Sequence, residues 1–289
     1  MKKVLLQLDT DEHPSPFDAI VAHDADVDVL LSHGSVKPEA VRGLVQDAFF
    51  TRGMDDLKTM AVWVGGKHVA AGEAVFAEVQ KAFFGPFRVS VMLDSNGCNT
   101  TAATTIARIA KARDLHGNRA VVLGLGAVGL RSAVLLQGEG CDVAAAALPP
   151  DLFGDDRPYR RPHGLEVAQQ RGLDVREPSN REELEAILDG AQLVLSAGPA
   201  GVQVLRRDFW AQHPTIELLA DYNAAEPLGV EGTKATDDLA DYDGKLVLGA
   251  LAIGGPKMKV HKACVRRLFE SNDQLLDTDA VYAIAQELV

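Results

Sequence analysis

Three glycines, Gly124, Gly126 and Gly129, stand in the spacing G-x-G-x-x-G. An apolar run precedes them, a helix-period segment follows, and a second apolar run opens near Asp142. In that strand–turn–helix–strand frame each glycine has a task. Gly124 permits the tight turn, Gly126 lets the backbone approach a pyrophosphate, and Gly129 lets the helix close on the strand. Ala127 and Val128 complete the turn whose N–H groups would face the phosphates. A dinucleotide held there supplies hydride chemistry. A second concentration of polar groups, Asp94-Ser-Asn-Gly-Cys-Asn-Thr-Thr101, follows another apolar run. Such a cluster can receive a small ligand, or simply cap the next helix.

Two further turns would border a dinucleotide. Leu195-Ser-Ala-Gly-Pro-Ala-Gly offers Ser196, Ala197 and Gly198 after one strand, and Ala220-Asp-Tyr-Asn offers Asp221 and Asn223 after the next. Ligands of open α/β sheets bind beyond the carboxyl ends of strands, although these residue types also favour ordinary turns. The strand after the glycines ends Ala144-Ala-Ala-Ala-Leu-Pro-Pro, with no carboxylate at its tip to read a ribose 2′-hydroxyl. Arg157, Arg160 and Arg161 follow and can pair with a 2′-phosphate. The reading leans to NADP and leaves NAD open.

The elements that must position these groups alternate. Strands are expected at Val4–Leu8, Val27–Leu31, Met60–Val64, Arg88–Leu93, Ala120–Gly124, Asp142–Ala147, Leu193–Ala197, Ile216–Ala220 and Leu246–Leu248. Helices are expected at Ala70–Phe83, Thr101–Ala112, Val128–Gln137, Arg181–Leu188, Lys259–Glu270 and Thr278–Leu288. This alternation predicts an α/β protein with parallel sheets covered by helices. The division falls near residue 100: residues 1–100 form one domain, completed by the C-terminal helices of 259–289, and residues 101–258 form a Rossmann-type, doubly wound domain.

With 289 residues there is room for two such cores. A net charge of −12 argues against nucleic acid or an anionic membrane as partner. No apolar run approaches a membrane span, and the opening Met-Lys-Lys-Val-Leu-Leu-Gln-Leu-Asp is expected to be a strand, not a signal peptide. The three cysteines are far apart, which fits reduced thiols in a cytoplasmic protein. Neither they nor the eight histidines show zinc-like spacing, so no metal is expected.

The segment Phe83-Phe-Gly-Pro-Phe-Arg-Val-Ser-Val-Met-Leu-Asp-Ser-Asn-Gly-Cys-Asn-Thr-Thr resembles the methylene-tetrahydromethanopterin dehydrogenases of one-carbon-metabolising bacteria, nearest the NADP-dependent branch that also acts on methylene-tetrahydrofolate. The resemblance runs the full length, through Gln7-Leu-Asp-Thr-Asp, Pro16-Phe-Asp, Phe50-Thr-Arg-Gly, Val62-Trp-Val-Gly-Gly, Leu219-Ala-Asp-Tyr-Asn-Ala and Lys257-Met-Lys-Val-His-Lys-Ala-Cys. It implies an N-terminal pterin domain, a C-terminal dinucleotide domain, a cleft between them and a homo-oligomer, a trimer. It implies oxidation of methylene-tetrahydromethanopterin to the methenyl cation by NAD(P)+. It ties a lysine matching Lys257 to catalysis, and the matched blocks make Asp18, Asp94, Ser95, Asn96, Asn99, Thr101 and Asp221 candidates to hold the pterin. The chain departs from the NADP-specific branch at Gly124-Leu-Gly126, where that branch has Gly-Thr-Gly, and at Ala147-Leu-Pro-Pro, where it has an arginine.

Oxidising a methylene bridge between two amine nitrogens gives a resonance-stabilised cation and moves no proton, so no general base is required. Lys257, following Gly254-Gly255-Pro256, is expected at a helix start and on the pterin's polar edge. His261 is expected to pack on a helix face and Lys259 to be a surface charge. The alternatives are a methylene-tetrahydrofolate dehydrogenase, a shikimate-type dehydrogenase and a non-catalytic dinucleotide sensor. The shikimate type needs a Lys–Asp proton-transfer pair that the N-terminal half does not display. A sensor would have no use for the polar cluster at Asp94–Thr101.

Overall fold

The computed structural model describes residues 1–154 and 163–289. The chain forms two compact units, the terminal Val289 aside: Met1–Thr100 with Lys257–Leu288, and Thr101–Pro256.

The first unit opens with β1 (Val4–Asp9), α1 (Pro16–Asp24), β2 (Val29–His33), α2 (Pro38–Phe49), β3 (Met60–Gly65), α3 (Val69–Ala82) and β4 (Ser90–Leu93). β1 and β3 are buried at every position, the mark of central strands covered on both faces. Leu6, Leu8, Val62, Val64, Val91 and Phe49 belong to its core. Ser15 caps α1 by accepting the Asp18 N–H at 3.3 Å, with Pro16 pre-set for the first turn. The chain leaves this unit within α4 (Cys98–Ala112).

The second unit contains β5 (Arg119–Leu123), α5 (Ala127–Gly138), β6 (Asp142–Ala146), α6 (His163–Gln170), β7 (Asp174–Arg176), α7 (Arg181–Ile187), β8 (Leu193–Ser196), α8 (Arg207–Trp210), β9 (Leu218–Asp221), β10 (Asp238–Tyr242) and β11 (Lys245–Leu248). Its sheet runs β10-β11-β9-β8-β5-β6-β7. All neighbours are parallel except β10, an antiparallel edge strand on β11. β10 thus adds an antiparallel edge to the expected parallel sheet, where a tight turn at Asp243–Gly244 folds the chain straight back. Six strands keep the doubly wound order, reversing between β5 and β8.

The chain re-enters the first unit within α9 (Ala250–Arg267) and finishes with β12 (Leu275–Leu276) and α10 (Thr278–Leu288). β12 pairs with β4, so the first sheet reads β12-β4-β3-β1-β2, parallel throughout. Its order reverses between β1 and β3.

The helix expected from Lys259 starts nine residues earlier, at Ala250, and Pro256 lies inside it. Lys257 is thus a mid-helix residue, not a helix start. Proline leaves the carbonyl four residues back without a helical donor. Here that carbonyl belongs to Ala252, and the Arg108 guanidinium donates to it at 3.0 Å. A side chain from α4 supplies what the proline removes, and α9 continues.

Candidate active site

In open parallel sheets the ends of strands flanking a reversal diverge and leave a crevice at their carboxyl side. In the first unit those strands are β1 and β3. A cavity of about 500 Å³ lies there, lined by Asp11, Phe17, Asp18, Gly66, Asn96–Gly97 and Lys257 among others. Each lining group follows from the local fold. α1 brings Phe17 and Asp18 over the end of β1, Gly66 follows β3 with φ +101°, and the loop after β4 brings Asn96 and Gly97, both at positive φ. α9 supplies Lys257.

Lys257 Nζ lies 5.6 Å from the centre of the Phe17 ring, so the ammonium rests over an aromatic face. Phe17 is 47% exposed, leaving ring surface free for a flat ligand. Asp18 is half-buried, and its carboxyl is raised from 3.8 to about 7. Burial is the main cause; Asp94 and Asp9 push the same way and Lys257 opposes.

The polar cluster after β4 divides in two. Asn96 is exposed and lines the cavity. Asp94, Ser95 and Asn99 are buried beneath it. Asp94 accepts from the backbone N–H groups of Asn99 and Thr100 at 2.8 and 3.1 Å and from Thr100 Oγ1 at 2.7 Å, fixing the start of α4. Asn99 donates to the Leu93 carbonyl and accepts from Thr278 Oγ1. Ser95 Oγ reaches the Gly65 carbonyl at 3.5 Å. Their polar atoms hold the loop that presents Asn96 and Gly97. Thr101, half-buried in the first turn of α4, accepts from Thr105 Oγ1 through its carbonyl.

His261 lies under this floor, fully buried, its ring edge-on to Trp63 at 4.8 Å. Its Nε2 is 3.5 Å from Asp94 Oδ2, and neither ring nitrogen makes a hydrogen bond among the described residues. Burial pushes its pKa down to about 4 despite the attraction of Asp94. The ring packs as a neutral group.

In the second unit the glycine turn joins β5 to α5. Gly124 has φ +111°, and a Cβ on it would stand 2.3 Å from the Ala197 carbonyl oxygen. One on Gly129 would stand 1.9 Å from the Gly124 oxygen. Around a Cβ on Gly126, by contrast, nothing lies within 4 Å among the described residues, and none of their side chains caps α5 there. An open backbone cradle at a helix N-terminus, with Ala127 and Val128 half-buried behind it, fits a pyrophosphate.

Ala197 and Gly198 continue β8 beside this turn, and Ser196 is buried in the strand end. Asp221 and Asn223 brace the neighbouring loop. Asp221 accepts from the Asn223 and Val230 N–H groups at 3.1 and 2.9 Å. Asn223 accepts from Gly201 N and Ala225 N and donates to the Pro227 carbonyl. Arg157, Arg160 and Arg161 lie outside the described residues. Among the described residues no group of three or more His, Cys, Asp or Glu could hold a metal, and no helix is long and apolar enough to cross a membrane.

Asp9, Phe17 and Gly97 were not singled out in the sequence. A carboxylate at the end of the first strand was the available signal for Asp9, and Ser15-Pro16 for the helix that carries Phe17.

A family model described as methylene-tetrahydromethanopterin dehydrogenase, N-terminal, matches residues 16–96. The chain is 41% identical over 290 residues to the Bifunctional protein MdtA of Methylorubrum extorquens, covering 99% of each. It is 32% identical over 300 residues to the NAD(P)-dependent methylenetetrahydromethanopterin dehydrogenase of the same organism, again covering 99% of each. Among solved structures, a chorismate mutase/shikimate 5-dehydrogenase fusion protein from Clostridium acetobutylicum is similar with a TM-score of 0.53 at 11% identity, over 99% of this chain and 98% of that one, a likeness of fold alone. Identity of this extent along the whole length, on an α/β framework of parallel sheets, places the chain in the methylene-tetrahydromethanopterin dehydrogenase family.

Proposed function

We propose that the protein removes a hydride from the methylene bridge of methylene-tetrahydromethanopterin and delivers it to NAD(P)+, giving the methenyl cation. The observation that carries this reading is the crevice at the β1/β3 reversal, where Lys257, Phe17 and Asp18 line one cavity. Its dimensions and lining suit a flat heterocycle with a polar edge. Phe17 offers a stacking face and Lys257 a donor for a ring carbonyl or ring nitrogen. The glycine turn at Gly124–Gly129 is the matching site for the dinucleotide, which supplies the hydride acceptor. A homologue named for NAD(P) and this pterin supports both assignments.

The chain's own groups bind and orient; none has to take up a proton, because C–H cleavage here releases both electrons with the hydrogen. Lys257 serves the polar edge of the pterin and lies away from the carbon that becomes positive. NADP is the favoured dinucleotide, since β6 ends in alanines with no carboxylate to repel a 2′-phosphate. Asn96 and Gly97 belong to the pterin site, and the chain acts as a homo-oligomer. The direct assay is absorbance at 340 nm with NADP+ or NAD+ and formaldehyde-condensed tetrahydromethanopterin or tetrahydrofolate. Reduction with the pterin carrier is expected; no reduction with either carrier overturns the reading.

A further inference from the structure

The methylene carrier is neutral at its bridge, and the methenyl product is positive there. A site accelerates such a step by presenting negative charge that interacts more strongly as the cation develops. The first unit's crevice is rich in carboxylates, and they are not equivalent. Asp9 and Asp94 are buried with their oxygens committed: Asp9 accepts from the N–H groups of Asp11 and Ser15 at 2.8 and 3.0 Å, and Asp94 holds the start of α4. Asp11, at the cavity mouth, accepts from Lys67 N and faces Lys67 Nζ at 3.9 Å.

Asp18 differs. Among the described residues its carboxylate accepts no hydrogen bond, although it lines the cavity and is half-buried. Its Oδ2 would be only 3.1 Å from a Cβ on Gly65, so the absence of a side chain there is what lets the carboxylate lie over the end of β3. The groups that face it are Asp9 from β1, Asp94 from the end of β4 and Lys257 from α9: two like charges and one opposite. A half-buried carboxylate that lacks donors among the described residues and is flanked by like charges is costly. A ligand that brings positive charge offsets that cost.

We propose that Asp18 is a catalytic carboxylate whose ionised form faces the developing methenyl cation, an assignment that rests on the dehydrogenase reading above. In the step, one C–H bond of the methylene bridge breaks and its electron pair leaves with the hydrogen. The carbon is oxidised by two electrons, the nicotinamide ring is reduced by the same two, and the positive charge passes from that ring to the N–C–N unit. No proton moves, and Asp18 stays ionised throughout. Binding of the cation therefore favours the ionised carboxylate, and ionisation favours the cation by the same factor.

The test compares binding of 5,10-methenyltetrahydrofolate, a cation, with tetrahydrofolate, neutral at that position, by stopped-flow fluorescence from pH 6 to 8. In the wild-type protein the preference for the cation should rise with pH through about 7. In Asp18→Asn it should be independent of pH and lower by about tenfold at pH 8, while affinity for tetrahydrofolate changes by less than about threefold. Asp18→Glu should keep the pH-dependent preference, and a thermal melt of each variant separates lost folding from lost charge. A wild-type preference that is flat with pH, or an Asp18→Asn variant that weakens both ligands alike, overturns the assignment. Failure of the wild-type protein to turn over either carrier overturns the dehydrogenase reading instead, so the two failures are distinguishable.

Discussion

Gly97 lies against the tip of Lys257: a Cβ on Gly97 would stand 2.5 Å from Nζ. The loop after β4 thus determines where the ammonium can go. Gly97 also has φ +61°, which an L side chain adopts at a cost. Gly97→Ala should lower stability by about 1–2 kcal/mol in urea denaturation. Displacing Nζ should lower kcat/KM for the pterin about tenfold. Unchanged turnover would show that Lys257 need not be held there.

Lys257→Ala should lower kcat/KM by about 10²-fold. It should also move the acid limb of the pH profile upward, because the attraction that holds the Asp18 pKa down is lost. Lys257→Arg should not restore activity, since the wider guanidinium meets Gly97 and Phe17. An acid limb that stays in place in Lys257→Ala would separate the two residues.

The glycines of the dinucleotide turn should part into structural and binding roles. Gly124→Ala places a methyl group against the Ala197 carbonyl at φ +111° and should cost about 2 kcal/mol or more in thermal or urea unfolding. Gly126→Ala meets none of the described residues, so the fold should tolerate it while NADP+ affinity falls about tenfold. Calorimetry with NADP+ on both variants checks this; tight binding by Gly126→Ala would count against the cradle.

Arg108 donates to the carbonyl that Pro256 leaves without a partner and pairs with Asp238. Arg108→Ala should cost about 1–3 kcal/mol. In a Pro256→Ala background the helix can satisfy the same carbonyl, so the loss should shrink by about 1 kcal/mol in a double-mutant cycle. Strict additivity would mean that the guanidinium does not compensate for the proline.

Asp18 and His261 should pull stability in opposite directions with pH. The Asp18 carboxyl is raised from 3.8 to about 7, so across that window the folded chain keeps a proton that the unfolded chain has lost, and stability falls as pH rises. The His261 ring is lowered from 6.5 to about 4, so between those values the unfolded chain holds the extra proton and stability rises with pH. Asp18→Asn removes only the first trend. The variant should match the wild type near pH 4 and exceed it by up to about 4 kcal/mol at pH 8. Urea titrations at the two pH values measure this, and a gap that does not widen excludes the effect.

The glycine turn was legible because its chemistry is local: strand, glycines and helix are adjacent in the chain. The strand cores were legible for the same reason, as β1 and β3 open with the apolar runs Val4–Leu6 and Met60–Val64. What stayed hidden depended on distant partners. Gly254-Gly255-Pro256 signals a helix break, and only Arg108, 144 residues away, removes the penalty. β10 shows no alternation and exists because β11 pairs with it. β12 is two residues long and is a strand only beside β4. Within the polar cluster, sequence could not tell Asn96, which reaches the cavity, from Asp94, which is spent on the backbone of α4. The matched blocks offered Asp18 as a pterin candidate; that no described residue donates a hydrogen bond to its carboxylate appears only in three dimensions.

The first unit is closed by residues at both ends of the chain, with β12 pairing β4 and α9 delivering Lys257. A ribosome finishes Met1–Thr100 and must then make all of Thr101–Pro256 before Lys257 exists. At ordinary synthesis rates that interval is roughly ten to thirty seconds. For that time β4 has a bare edge and its cavity lacks its cation, so the nascent sheet is exposed to unwanted strand pairing. The second unit, continuous in sequence, can fold in the meantime, and the order of maturation runs opposite to the order of translation.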